Sequence, residues 1–195
     1  MTAFADYLDL RTAVIEDVKR PDIADKFDRI TKLAESWLNN NVRMADQITE
    51  TTVTFSSGTA SLPADFREAI GLYNSSGLEY VQQPATQTEV VGAKSFYSIQ
   101  GSNLVSQALD GDYTFQYYAK ISTITTSMTT SNWLLQKYPS LYLYAVGVEA
   151  AKSIRDMDAV AALTTLRNGA FEDARTDDET YRYSRARVRV QGATP

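Results

Sequence analysis

Apolar residues recur every three or four positions near both ends of the chain and every second position in its middle third. Helical spacing near the N-terminus predicts two amphipathic helices, because it places side chains on one face. Arg20-Pro21 separates them, and Asp22 is the expected N-cap of the second. The first stripe is Phe4, Leu8, Ile15 and Val18 within residues 2–18, and the second is Ile23, Phe27, Ile30, Ala34, Trp37 and Leu38. We expect the two helices to pack as a hairpin.

From about Ile48 the pattern alternates, as it does in half-buried strands. Strands are predicted at residues 52–55, 59–62, 68–73, 78–81, 96–99, 103–107 and 112–120. Asp110-Gly111 is a favoured hairpin dipeptide and is predicted to join the last two strands. Residues 82–94 are polar and lack a clear period, which predicts a loop with one helical turn. The middle of the chain is therefore expected to be an antiparallel β lobe.

Two further helices are predicted after the lobe. Residues 121–131 are mostly Ser, Thr, Ile and Met, which favours an exposed connector. Pro139 fixes φ at a helix start, and the helix that follows to residue 155 is apolar most of the way round, so it needs neighbours on several sides. The last helix is predicted from residue 159 to about residue 175, with Val160, Leu163, Leu166, Ala170 and Phe171 facing inward.

These elements predict an α+β fold. Helices from both ends of the chain are expected to form one helical bundle, with the antiparallel β lobe inserted between them and an extended arm at the C-terminus. The predicted parts are an N-terminal helical hairpin (1–47), the β lobe (48–121), the connector (122–131), the C-terminal helices (132–179) and the arm (180–195).

Composition excludes several kinds of chemistry. The chain has no Cys and no His, which removes disulfides, zinc fingers, thiol nucleophiles and histidine bases. A net charge of -5 with a pI near 4.8 argues against a surface built mainly to bind DNA. No segment approaches the roughly 18 consecutive apolar residues of a membrane span, and the first residues do not resemble a signal peptide. We expect a soluble protein without a metal or cofactor.

An enzyme of this composition would use paired carboxylates, a lysine-assisted serine or a carboxylate-bound metal. Asp65 and Glu68 lie three positions apart beside a turn, and Asp110 and Asp112 flank a glycine. Turn geometry alone favours Asp at such places, and the second pair lacks the further oxygen ligands of a calcium loop. Both pairs are interpreted as structural.

The C-terminal run is unusual for an isolated domain. From Arg185 onward Arg alternates with Ala or Val, so an extended strand would project every guanidinium from one side. This pattern suits strand addition to another chain combined with carboxylate pairing, and a frayed basic tail is the alternative. The binding residues predicted in this arm are Tyr181, Arg182, Tyr183, Arg185, Arg187, Val188, Arg189 and Val190.

The tyrosines permit two interpretations. Tyr113, Tyr117 and Tyr118, or Tyr142 and Tyr144, have rings that stack well on bases or sugars. Their positions on a strand face and on a crowded helix favour core or subunit packing instead. The residues predicted to pack between subunits are Trp133, Tyr142, Tyr144 and Val148.

Three short motifs follow the two N-terminal helices in a fixed order. They are Leu62-Pro-Ala-Asp-Phe66, Asn132-Trp-Leu134 and Pro139-Ser-Leu-Tyr-Leu-Tyr144. In order and spacing they resemble the head-to-tail adaptor (connector) family of tailed bacteriophages, over roughly residues 1–178. The resemblance implies a structural protein of the virion neck, between the portal vertex and the tail, and not an enzyme.

The resemblance also implies partners. These are sister copies in a homo-oligomeric ring, a dodecamer matching the portal, with double-stranded DNA passing through its centre. The arm would reach the portal protein, and the β lobe would face a downstream tail or nozzle protein. A carboxylate-dependent cell-wall glycosidase carried in a virion and a soluble interaction domain outside any virion are the alternatives.

Overall fold

The computed structural model describes residues 3–84 and 96–183. It contains both helices and strands, so the predicted α+β class is confirmed. The chain divides into two compact units. Residues 1–46 and 121–195 form the helical unit, and residues 47–120 form the β lobe. Within the described residues, no helix has the combination of length and apolar character that crossing a membrane requires.

Helix α1 (Tyr7–Val18) begins later than predicted. The side chain of Asp6 accepts a hydrogen bond from the backbone N–H of Asp9 (3.1 Å) and so caps the first turn. The buried face consists of Tyr7, Leu10 and Val14, whereas Leu8 is 46% exposed. The predicted stripe is therefore wrong at Leu8, because the tyrosine ring packs inward while its hydroxyl donates to Asp28 (2.6 Å).

Helix α2 (Phe27–Asn41) follows a short 3₁₀ helix, Pro21–Lys26. Asp22 is not the N-cap that the sequence predicts. It lies within the 3₁₀ helix and forms an exposed ion pair (2.8 Å) with Arg20, the residue that precedes that helix. The buried face of α2 contains Phe27, Ile30, Thr31, Ala34, Glu35 and Leu38.

Helices α3 (Trp133–Lys137), α4 (Pro139–Ile154) and α5 (Met157–Tyr183) complete the helical unit. Helix α4 contacts α1, α2, α3 and α5, which confirms the expectation that it needs neighbours on several sides. Helix α5 has 27 residues and is therefore about 40 Å long. The predicted end near residue 175 is wrong, and residues 180–183 belong to this helix and not to an extended arm.

The connector is only partly exposed. Ile121 and Ile124 are buried in the core of the helical unit, so the predicted exposure is wrong at both positions. Further along, the backbone N–H of Tyr7 donates to the carbonyl of Thr130 (2.9 Å), which ties the connector to the start of α1.

The strands of the β lobe form one sheet in the order β1-β7-β3-β4-β5-β6-β2. They are β1 (Ile48–Phe55), β2 (Thr59–Ser61), β3 (Phe66–Tyr73), β4 (Glu79–Gln82), β5 (Phe96–Gln100), β6 (Asn103–Val105) and β7 (Gly111–Ala119). All neighbours are antiparallel except β4 and β5, where Val81 pairs in parallel with Phe96. The prediction of an antiparallel lobe is thus wrong for this one pair.

Phe115 occupies the centre of the lobe core, opposite Thr51 on β1 and Leu72 on β3. The Asp110-Gly111 hairpin prediction is wrong, because β6 pairs with β5 and β2 while β7 pairs with β1 and β3. Gly58 closes the turn between β1 and β2 at φ +77°. A Cβ there would lie 2.4 Å from the carbonyl oxygen of Ser106, so only glycine fits.

Candidate interaction surfaces

Two of the residues predicted to pack between subunits lie inside the helical unit. The side chains of Tyr142 and Val148 are 0% and 1% exposed. Residues buried in their own chain offer no surface to a second copy, which corrects the prediction for this pair. Trp133 and Tyr144 are half-buried, and a role for them between subunits stays a prediction.

Tyr142 belongs to a buried polar cluster around Glu35, which is 6% exposed. The Glu35 carboxylate accepts hydrogen bonds from the Tyr142 hydroxyl (2.8 Å), the Thr123 hydroxyl (2.7 Å) and the backbone N–H of Ile124 (2.8 Å). The pKa of Tyr142 is raised well above its ordinary value. Burial is the larger cause, and the negative charge of Glu35 is the second. The cluster therefore joins α2, the connector and α4 at one point.

Two asparagines fix the connector on either side of this cluster. The Asn39 side-chain oxygen accepts the backbone N–H of Ile121 (2.8 Å). Asn132 caps α3 by accepting the N–H of Leu135 (2.9 Å), and its amide donates to the carbonyl of Ser122 (2.7 Å). Side chains from α2 and the α3 cap therefore satisfy backbone groups of a segment that has no regular structure.

The spacing of apolar residues along the chain does not reveal this cluster. A signal was present, because Glu35 lies within the apolar stripe of the second helix, directly after Ala34. A carboxylate at a core position requires hydrogen-bond donors. The residues that supply them lie 88 to 107 positions later in the chain, so the pattern of α2 alone does not identify them.

The end of α5 is attached to the segment after α2. Asp178 is 3% exposed, accepts the backbone N–H of Ala45 (2.8 Å) and lies 2.7 Å from Nε of Arg182. Arg182 also donates to the carbonyl of Arg43 (3.4 Å). These contacts give Arg182 a structural role within its own chain, which differs from the predicted role in an extended binding arm.

The two tyrosines beside Arg182 point outward. Tyr181 is 72% exposed and Tyr183 is 66% exposed. Lys137 lies 5.3 Å from the centre of the Tyr181 ring, which orients this aromatic side chain on the surface. A cavity of about 400 Å³ adjoins Tyr183, and it is lined by Asn41, Arg43, Met44, Phe171, Arg175, Asp178, Glu179, Arg182 and Tyr183. The end of α5 thus presents two exposed aromatic side chains, on different sides of a helix that is held by Asp178 and Arg182.

The same helix contacts α2 through a buried arginine. The guanidinium of Arg167 lies 3.9 Å from the centre of the Trp37 ring, and Phe171 meets the same indole edge-on at 6.0 Å. Burial lowers the pKa of Arg167 from its ordinary value. Stacking on an aromatic face suits the planar guanidinium and holds α5 against α2.

The candidate catalytic carboxylates have structural partners. Asp65 accepts the Tyr117 hydroxyl (2.9 Å), and Asp112 accepts the Thr54 hydroxyl (2.6 Å) across the β1–β7 pair. Glu68 is exposed on β3, and Asp110 is exposed before β7. Across residues 3–84 and 96–183, no group of three or more acidic side chains is placed to hold a metal ion.

The tyrosines of β7 differ in their placement. Tyr117 is 3% exposed and stacks on Phe115 at 5.4 Å between ring centres. Tyr113 packs against Phe55 and is half-buried, as is Tyr118. Tyr113 and Tyr117 therefore contribute to the core of the β lobe, as the packing interpretation predicts. Arg185, Arg187, Val188, Arg189 and Val190 lie outside the described residues.

Comparison with known proteins identifies one family. The model of the family described as "SU10 adaptor protein" matches residues 5–191, which is nearly the whole chain. No curated protein matches the chain.

Proposed function

The chain belongs to the SU10 adaptor protein family of bacteriophages, and on that premise we propose that it assembles as a ring beneath the portal of a tailed phage. The family match over residues 5–191 is the observation that carries this proposal. In it, the ring lies at the virion neck, extends the DNA channel and provides the attachment surface for tail proteins.

Surface composition supports assembly. Helix α5 is long, yet only Arg167, Ala174 and Asp178 on it are buried. It also exposes Met157 (65%) and Leu166 (48%). Long helices with large exposed apolar residues are suited to contact other chains. A closed ring is heterologous, so each subunit offers two different faces to its neighbours.

Charge supports passage of DNA. The formal net charge of -5 means that the chain as a whole does not attract the phosphate backbone. A channel wall must let DNA slide, and clustered Lys and Arg would hold it in place. We therefore assign the ring a passive role toward DNA, without sequence recognition.

The two units are proposed to have different partners. The helices act as one bundle that forms the wall of the ring, and the β lobe binds the next tail component. Portal contact is assigned to the exposed end of α5, where Tyr181 and Tyr183 present aromatic rings. Aromatic side chains with little rotamer freedom are frequent anchors of protein interfaces.

The proposal is tested by mixing the purified chain with purified portal from the same phage. Negative-stain images and mass photometry should show rings stacked on the portal, with the copy number matching the portal's symmetry. A Tyr181→Ser/Tyr183→Ser variant should bind portal less tightly, while Tyr118→Ser, a half-buried lobe tyrosine, controls for loss of an aromatic residue. A chain that stays monomeric both alone and with portal would refute the proposal.

The enzymatic alternative makes a separate prediction. A cell-wall glycosidase would release soluble peptidoglycan, and Asp65→Asn or Glu68→Gln would abolish the release. The hydrogen bond from Tyr117 to Asp65 instead predicts that Asp65→Asn weakens folding without any activity to lose. Release of peptidoglycan by the wild-type chain would favour the alternative.

A further inference from the structure

We propose that a groove between α1, α4 and α5 receives residues 185–190 of a neighbouring copy. This inference rests on the proposed ring. The groove has a volume of about 260 Å³. Its lining is apolar except for two acidic residues, and it consists of Val14, Asp17, Val18, Leu143, Tyr144, Gly147, Asp156, Ala159, Ala162 and Leu163.

Gly147 keeps the floor of the groove open. It lies in the interior of α4 without a positive φ, and a Cβ there would meet Leu163 only at ordinary contact distance, 3.5 Å. Alanine would therefore fit, and it would favour the helix by roughly 1 kcal/mol. Neither the backbone nor the packing of this chain requires glycine at this position. We therefore infer that its missing side chain leaves space in the groove for a bound segment.

Residues 185–190 have the complementary chemistry. They read Arg-Ala-Arg-Val-Arg-Val, and no acidic residue follows Glu179. An apolar groove with Asp17 and Asp156 in its lining suits small apolar side chains for the floor and cations for the two carboxylates. Asp156 already caps α5 by accepting the N–H of Ala159 (3.0 Å) through Oδ1, which leaves its second oxygen for an arginine.

The reach of the chain excludes docking within one copy. Along α5, Leu163 and Tyr183 are 20 residues apart, which is about 30 Å at roughly 1.5 Å per residue. Val188 is only five residues beyond Tyr183 and extends at most about 18 Å from it. The segment must therefore enter the groove of another copy, which brings the end of one α5 near the beginning of the next.

This assignment changes the partner that the sequence predicts for Arg187, Val188 and Arg189. The portal was expected to bind them, whereas the groove gives them a site within the ring. Tyr181 and Tyr183 remain available to the portal, because they precede the segment on α5. Binding of Val188 to the portal is the alternative outcome of the test.

The chain has no cysteine, so engineered pairs can be cross-linked without background. We suggest Ala162→Cys/Val188→Cys in the full chain, assembled into rings with portal where needed, and treated with a short bis-maleimide. Ala162 is exposed in the groove lining, so the substitution is mild. The matched control is Thr176→Cys/Val188→Cys, which places the cysteine at an exposed position on the same helix outside the groove.

The expected result is a ladder of cross-linked chains in a denaturing gel for the first pair and monomers for the control. Adding Asp17→Lys to the first pair should reduce cross-linking roughly tenfold through charge repulsion. Rings without the ladder, a ladder unaffected by Asp17→Lys, or cross-links from Val188→Cys to portal would each overturn this inference alone. Absence of rings under all conditions would overturn the proposed function as well.

Discussion

The hydroxyl of Tyr142 should contribute measurably to folding. The Tyr142→Phe substitution removes one of the three hydrogen bonds that the Glu35 carboxylate accepts, all between 2.7 and 2.8 Å. A hydrogen bond to a charged group is worth about 1.5–3 kcal/mol. Because Glu35 is only 6% exposed, water cannot easily replace the lost donor. We expect the free energy of unfolding to fall by about 2 kcal/mol.

Urea unfolding followed by tryptophan fluorescence and by far-UV circular dichroism measures this loss. For a chain of this length, about 2 kcal/mol corresponds to a decrease in Tm of roughly 4–8 °C. Tyr144→Phe is the matched control, since it removes the same atom from a half-buried tyrosine on the same helix. We expect its effect to stay within about 0.5 kcal/mol.

Equal effects of the two substitutions would refute the reasoning. That result would mean that the hydrogen bonds from Thr123 and Ile124 satisfy Glu35 without the tyrosine. Glu35→Gln gives a second test. The neutral amide loses the charge-assisted part of every bond, and the combination with Tyr142→Phe should be less than additive.

Three further predictions concern other contacts. Burial and then Asp65 raise the pKa of Tyr117 from 10.0 to about 12. The unfolded chain therefore loses this proton first, stability falls as the pH rises between those values, and Tyr117→Phe should reduce the change in urea midpoint across that window. Asp178→Ala should cost about 3 kcal/mol in urea unfolding, because it leaves Arg182 without its carboxylate. Arg167→Lys should cost about 1 kcal/mol and shift the fluorescence of Trp37, because the ammonium lacks a planar group to stack on the indole.

Each of these predictions has a control that can contradict it. Asp173→Ala removes an exposed carboxylate from the same helix, and a loss as large as that of Asp178→Ala would mean that helix charge, not the ion pair, matters. Arg175→Lys is the control for Arg167→Lys, because Arg175 is exposed on the same helix. An equal loss of stability in both variants would mean that stacking on Trp37 is not the cause. If Tyr117→Phe leaves the pH dependence of the urea midpoint unchanged, the fall in stability at alkaline pH comes from other tyrosines.

Periodicity identified the elements whose burial follows a simple rule. The N-terminal pair of helices, the start of α4 at Pro139 and most strands lie close to their predicted positions. The first stripe was wrong at Leu8. The ring of Tyr7 packs in the core with Leu10 and Val14 while its hydroxyl reaches Asp28, so a stripe that starts from Phe4 and Leu8 and omits this tyrosine places the buried face elsewhere.

The spacing of residues within one element does not predict contacts with residues that are distant in the sequence. Val81 pairs with Phe96 in parallel, and alternation within either strand does not indicate the direction of this pairing. The extra length of α5 follows from Asp178 and its contacts with Ala45 and Arg182. An acidic cluster read in isolation favours a helix end, whereas the contact with the segment after α2 sustains the helix.

The Glu35 cluster also determines the order in which the protein can mature on the ribosome. Its first member is synthesised 107 residues before Tyr142, and the whole β lobe emerges between them. The lobe is contiguous and can fold as soon as it leaves the exit tunnel. Helix α2 packs on α4, so its buried apolar face, which includes Ile30 and Leu38, lacks that cover until α4 is available. Nascent chains stalled before residue 139 should therefore bind holdase chaperones through this N-terminal segment, and chains in which α4 has left the exit tunnel should not.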